Sequence, residues 1–222
     1  YKKLYHNSVE GLIHDKKHID VMTYALSAYV LCILGLHDQK KDGTPDMMVY
    51  IHATKKGFGM IGHIDFSIDH KVYSYGNYDY HSFQMMEAIG DGVMFIFDEA
   101  LYLPFCIEHE KNTIFAFGLW LEAHQIKEIH ARISALYENS VPWYPDIIND
   151  PDHDYSQFTN QLYLATKVSF YKYTKDYRKY FVLGSNCVKF VDQVLGASSS
   201  DILKFKRICD TRYAFGLPAK GI

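Results

Sequence analysis

Several things are scarce in this chain of 222 residues. It has 4 cysteines, 6 prolines and 2 tryptophans. Four cysteines do not make a disulfide scaffold. Hydrophobic residues at 48% and charged residues at 22% are those of an average globular protein, which excludes a disordered chain or a collagen-like repeat. There is no basic excess: 23 Lys+Arg against 26 Asp+Glu give a net charge of -3, and a general nucleic-acid binder is not expected. Neither an H-E-x-x-H nor a C-x-x-C motif occurs, so the 12 histidines do not by themselves announce a zinc site. No metal or cofactor is expected. Tyrosine is the surplus, with 19 copies beside 14 Phe.

Long apolar runs are also missing, with one near exception. Residues 21–36, VMTYALSAYVLCILGL, carry no charge. Sixteen residues fall short of the ~20 that span a bilayer, and Thr23, Tyr24, Ser27 and Tyr29 dilute the run. A buried helix is the first expectation; a membrane-associated or spanning helix flanked by Lys16-Lys17 is the alternative. Residues 8–20 read as helical, with Ser8 as cap. The chain starts at Tyr1 rather than Met, which leaves room for a leader or anchor ahead of it. The polar stretch HDQKKDGTPD (37–46) is the clearest break. It sets an N-terminal helical segment, 1–38, apart from a domain at 39–222.

Beyond the break the pattern is mixed α+β, with strands grouped in the middle. Strands are expected at 47–54, 60–69, 70–76, 90–99, 112–121, 167–174 and 179–184, the second and third forming a hairpin across Asp69, His70 and Lys71. Ile126, Ile129, Ile133 and Leu136 mark one face of a helix over 122–138. Residues 141–155, with three prolines, read as a surface loop, and 186–198 as a helix ended by Gly196. The run YKYTKDYRKYF (171–181) reads as an exposed strand face, with tracking of a polyanion or glycan as the alternative. His124 and His130 read as surface residues, and Asp150, Asp152, His153 and Asp154 as a solvated acidic loop without calcium-loop spacing. Cys32, Cys106 and Cys209 read as small buried hydrophobes.

The most informative stretch is LGSNCVKFVDQVL. A strand ends at Gly184-Ser185, and Cys187 falls in the first turn of a helix. The partial positive charge of a helix N-terminus favours thiolate there, so a lowered pKa is expected. A structural cysteine capping a buried helix fits the same residues. A thiol nucleophile needs a base, and His63 in GMIGHIDFSID is the best candidate, on a strand face shared with Asp65 and Ser67. Gly59 and Gly62 would let a substrate or backbone come close.

Three pieces together, 62–79, 115–133 and 180–195, resemble the circularly permuted papain-like cysteine hydrolases, the group that holds NlpC-type cell-wall peptidases and lecithin:retinol acyltransferase-like enzymes. In the permuted members the histidine hairpin precedes the cysteine helix, as His63 precedes Cys187 here. The resemblance implies a central antiparallel sheet packed against the Cys187 helix, with helices at the N-terminus. It implies Cys187 as nucleophile and His63 as base, with an orienting residue about 11 positions further on. That position holds Ser74 where the family has His or Asn, a weaker orienter without charge. Asp65 shares the strand face but reads as lying too far along it. The Cys187 N–H, with Asn186 beside it, would form part of an oxyanion hole.

The implied activity is hydrolysis of an amide through an acyl-enzyme, most naturally in cell-wall peptide (peptidoglycan), at the cell envelope or outside the cell. Unpaired cysteines point instead to a reducing compartment. A lipid acyl hydrolase or acyltransferase, with membrane association through 21–36, is the alternative substrate branch. A binding module without effective catalysis is the alternative from another class, and a metal-dependent protein using the histidines is a third.

Overall fold

The computed structural model describes residues 44–53, 63–85, 88–110, 113–150, 156–181 and 185–196. The expected N-terminal helices, the 21–36 run, Cys32, Cys209 and most of the acidic loop lie outside the described residues. Among the described residues no helix is long and apolar enough to cross a membrane.

Among the described residues eight strands form one antiparallel sheet. They are β1 (Met47–Ala53), β2 (His63–Ile68), β3 (Lys71–Asn77), β4 (Ile89–Asp98), β5 (Thr113–Leu119), β6 (Ser140–Trp143), β7 (Ser169–Tyr173) and β8 (Lys179–Phe181). The order is β5-β1-β2-β3-β4-β7-β6, and β8 pairs with the first residues of β4. The helices are α1 (Glu99–Pro104), α2 (Ala123–Glu138), α3 (Phe158–Thr166) and α4 (Cys187–Gly196). The protein is therefore α+β with an antiparallel sheet, and α4 packs across β2 and β3.

Local chemistry explains most of these elements. Asp69 and His70 both take positive φ, 51° and 60°, which closes a tight hairpin between β2 and β3. Both residue types tolerate this region better than most. Helix α2 starts at a capping box, with Glu122 and Gln125 bonding reciprocally. Its buried stripe is Gln125, Ile129, Ile133 and Leu136, with Ile126 partly buried beside it. Asp98 caps α1 through the Ala100 N–H, and beyond Pro104 the chain loosens into a π turn, Phe105–His109.

The period of two in β1, β2 and β3 divides the core between the faces of the sheet. On one face, Met47, Val49, Ile51, Ile64, Phe66, Tyr73 and Tyr75 meet Cys187, Phe190, Val191 and Val194 of α4 and the stripe of α2. On the other face, Met48, Tyr50, Val72, Phe95 and Phe97 meet Tyr102, Leu103 and Cys106 from α1 and its π turn, together with Leu162 of α3.

The structure corrects the sequence reading in three places. Residues 140–143 form edge strand β6 rather than loop, with Pro142 opposite Tyr171. Proline is tolerated there because an edge strand has a side without ladder bonds. Tyr173 and Tyr177 are buried on the α4 face and pack against Phe190, so the 171–181 run is exposed at 174–176, 178, 179 and 181 but is not one exposed strand face. Helices α1 and α3 were not expected. Each is shorter than ten residues, too short to display a clear 3.6-residue period.

Candidate active site

The start of α4 is fixed from two directions. Asn186 Oδ1 accepts the Lys189 N–H at 3.0 Å, a helix N-cap, so this oxygen is spent on the helix. The Phe181 N–H donates to the Ser185 carbonyl at 3.1 Å, and Ser185 Oγ donates to the Lys179 carbonyl, which ties the end of β8 to the first turn. Cys187 is thereby held against β2, where its sulfur receives the backbone N–H groups of Ile64 and Val188. The residue is 5% exposed. Burial pushes the thiol up to about 11, and the surrounding N–H donors recover only part of that shift. The lowered pKa expected from the helix terminus is thus overturned: desolvation outweighs the helix end.

His63 opens β2, next to the Ile64 amide that the thiol meets. Its Nε2 lies 2.7 Å from Ser74 Oγ on β3, just past the Phe66–Tyr73 pair of the hairpin. Tyr78 completes the group, with its hydroxyl 3.4 Å from the same nitrogen and 3.3 Å from Ser74 Oγ. Gly76 makes this possible, since a Cβ there would sit 2.7 Å from the Tyr78 ring. The structure therefore brings His63 and Ser74 together and sets Cys187 one peptide away. Among the described residues, Cys187 and the His63 ring share no hydrogen bond. Strand alternation explains why: Ile64 faces α4, whereas His63, Asp65 and Ser67 face the other way.

That second face carries a polar group the sequence reading missed. His52 sits opposite His63 in the β1–β2 register, with ring centroids 5.6 Å apart. Asp65, fully buried, has its Oδ2 3.0 Å from His52 Nε2 and 3.7 Å from His63 Nε2, and it accepts the Tyr102 hydroxyl at 2.9 Å. Asp65 reaches the His63 ring only at 3.7 Å, beyond hydrogen-bond distance, as its position along the strand led us to expect. The Cys106 thiol is buried on the same face beside His52, as expected of its burial. Burial works against a charge on His52, yet the Asp65 carboxylate and the Cys106 thiol carry its pKa up to about 10. His63 goes the other way. Burial lowers it to about 4, Asp65 opposes that, and His52 adds to it. The strand parity of Met48, Tyr50 and His52 was the one sequence signal for His52; nothing local announced Tyr102 or Cys106.

The remaining candidates are peripheral. His124 and His130 are exposed, as expected, and His130 pairs with Asp69 at 3.3 Å. Among the described residues no group of His, Cys, Asp and Glu is arranged to hold a metal ion. An open cavity of about 730 Å³ lies at the far end of β2, lined by Pro45, Ser67, Asp69, His70 and Glu99, and neither Cys187 nor His63 reaches it. Comparison of the chain with protein-family models, curated proteins and solved structures finds no match.

Proposed function

We propose that the protein is a cysteine hydrolase of permuted papain-like fold, with Cys187 as nucleophile, His63 as base and Ser74 as orienting residue. The observation that supports this is that thiol and imidazole flank one peptide of β2: Ser74 Oγ lies 2.7 Å from His63 Nε2 on one face of the sheet, and Cys187 packs with the adjoining Ile64 on the other. With Nε2 engaged by Ser74, Nδ1 is the nitrogen left for the thiol, and covalent geometry places it nearer the backbone. A thiol pushed up to about 11 and an imidazole lowered to about 4 describe a neutral pair rather than a thiolate–imidazolium pair.

The proton then moves as the attack occurs. Sγ bonds to the substrate carbonyl carbon while its proton passes to Nδ1. The same proton goes to the leaving amine or alcohol as the C–N or C–O bond breaks. Water cleaves the thioester and restores the thiol. The Cys187 N–H would serve the oxyanion. The substrate class follows from the resemblance: an amide in cell-wall peptide, with a lipid ester as the alternative on the same chemistry.

A second reading, a binding module on this fold, is favoured by the burial of Cys187 and the missing bond to His63. Iodoacetamide labelling decides between them. The hydrolase reading expects Cys187 to label faster than Cys106 at neutral pH, with His63→Ala slowing it by at least about tenfold. Equal, slow labelling of both, unchanged by His63→Ala, overturns it and leaves the binding module.

A further inference from the structure

Behind His63 the sheet buries more charge than an imidazole steadied by a serine requires. Asp65 accepts the Tyr102 hydroxyl at 2.9 Å, and its Oδ2 lies within ion-pair range of two imidazoles, 3.0 Å from His52 Nε2 and 3.7 Å from His63 Nε2. Its other oxygen, Oδ1, is buried without a hydrogen-bond partner among the described residues. A carboxylate in such a place is retained only if something nearby is positive or becomes so.

We infer that Asp65 is a positioning residue for His63: it selects the tautomer with the proton on Nε2, and it supplies the counter-charge for the imidazolium formed when His63 takes the Cys187 proton. This rests on the hydrolase reading above. At 3.7 Å the carboxylate makes no hydrogen bond to Nε2, but its negative charge beside that nitrogen favours a proton there and leaves the lone pair on Nδ1. Ser74, at 2.7 Å, orients the ring but brings no charge. The two tasks that one polar residue performs in a triad are divided here between Ser74 and Asp65. His52 keeps the arrangement electrically balanced, since it pairs with Asp65 while His63 is neutral.

The groups around the His63 ring come from every element packed on it. They are His52 on β1, Asp65 on β2, Ser74 on β3, Tyr78 beyond β3, Tyr102 and Cys106 from α1 and its π turn, and Cys187 of α4 near its backbone. Removing either charged neighbour alters the His63 titration with a predictable sign. Asp65→Asn removes the attraction and also releases the charge on His52; because the carboxylate acts on His63 more strongly than His52 does, the His63 midpoint falls. His52→Gln removes only a repulsion, and the midpoint rises.

The experiment is an NMR titration of the ring nitrogens in uniformly labelled full chain, for wild type, D65N and H52Q, with thermal melts to verify folding. Opposite shifts, down in D65N and up in H52Q, together with Cys187 alkylation slowed about tenfold or more in D65N, are the expected result. Shifts of the same sign, or none in either variant, overturn the inference. If D65N does not fold, H52Q decides alone, and a His63 midpoint that stays put or falls overturns it. The titration needs no substrate and no reactive thiol. Opposite shifts beside an inert Cys187 therefore strike the hydrolase reading alone and leave Asp65 as the counter-charge of His63.

Discussion

The two faces of this sheet are built from the same strands but by different chemistry. The face under α4 is apolar and aromatic: Phe190 stacks on Tyr75 at 5.3 Å and on Phe66 at 6.0 Å, and Tyr177 closes edge-on at 5.9 Å. The opposite face has an aromatic core too, but a file of buried polar side chains runs through it, from His52 and Asp65 to Ser67 and Ser74. Both sides carry a buried core. The first is held by area removed from water, which is additive and tolerant of geometry. The second holds only while each donor keeps its acceptor, because an orphaned buried polar group costs more than a bond contributes. The thiol lies on the tolerant side, and the imidazole on the demanding one.

The largest effect should come from the apolar face. Phe190→Ala, at a fully buried ring, is expected to cost about 3–5 kcal/mol in a denaturant melt. A loss under about 1 kcal/mol would show that α4 is not seated by this ring. On the polar face, Tyr102→Phe deletes one oxygen and no volume, yet leaves Asp65 short of a donor. An expected loss of about 1–3 kcal/mol from so small a change would mark the difference between the faces.

The same face should also set the pH dependence of stability. His63 has a folded pKa below its unfolded value, near 4 against 6.5, so its contribution is present above pH 6.5 and is lost as pH falls toward 4. His52 is the reverse. Raised to about 10, it contributes fully below pH 6.5, and that contribution is lost as pH rises through 10. Melts across this range should therefore give a maximum near neutrality, with slopes of at most about 1.4 kcal/mol per pH unit. H63Q should flatten the acid arm and H52Q the alkaline arm; a variant that flattens the wrong arm contradicts the assignment. The smallest effect is expected away from both faces. His130→Ala, at an exposed pair with Asp69, should change stability by less than about 0.5 kcal/mol.

Much of the fold was readable along the chain. The spacing of Ile129, Ile133 and Leu136 located α2 almost to its ends, the largely apolar run MMVYIHA read as a buried strand located β1, and the alternation in HIDFSI located β2. These are periods imposed by local backbone geometry on residues that must face a core. Strand β6 escaped because Pro142 reads as a breaker unless the strand is known to be an edge. Within the site, Ser74 could be named in advance only through the family resemblance, which puts an orienting residue about 11 positions after His63; the two-residue turn between β2 and β3 is what brings it to the ring. Tyr102 and Cys106 could not, since they reach Asp65 and His52 from a separate element packed on the sheet.

The sequence by itself determined which side chains share a strand face and which helix begins with a cysteine, because both follow from torsions a few residues long. Only the tertiary structure decided how those groups are charged. Whether Cys187 feels a helix terminus or the loss of water, and whether His63 or His52 holds the proton beside Asp65, depends on what is packed around them. Desolvation and charge pairing act through space, and no local pattern along the chain records them.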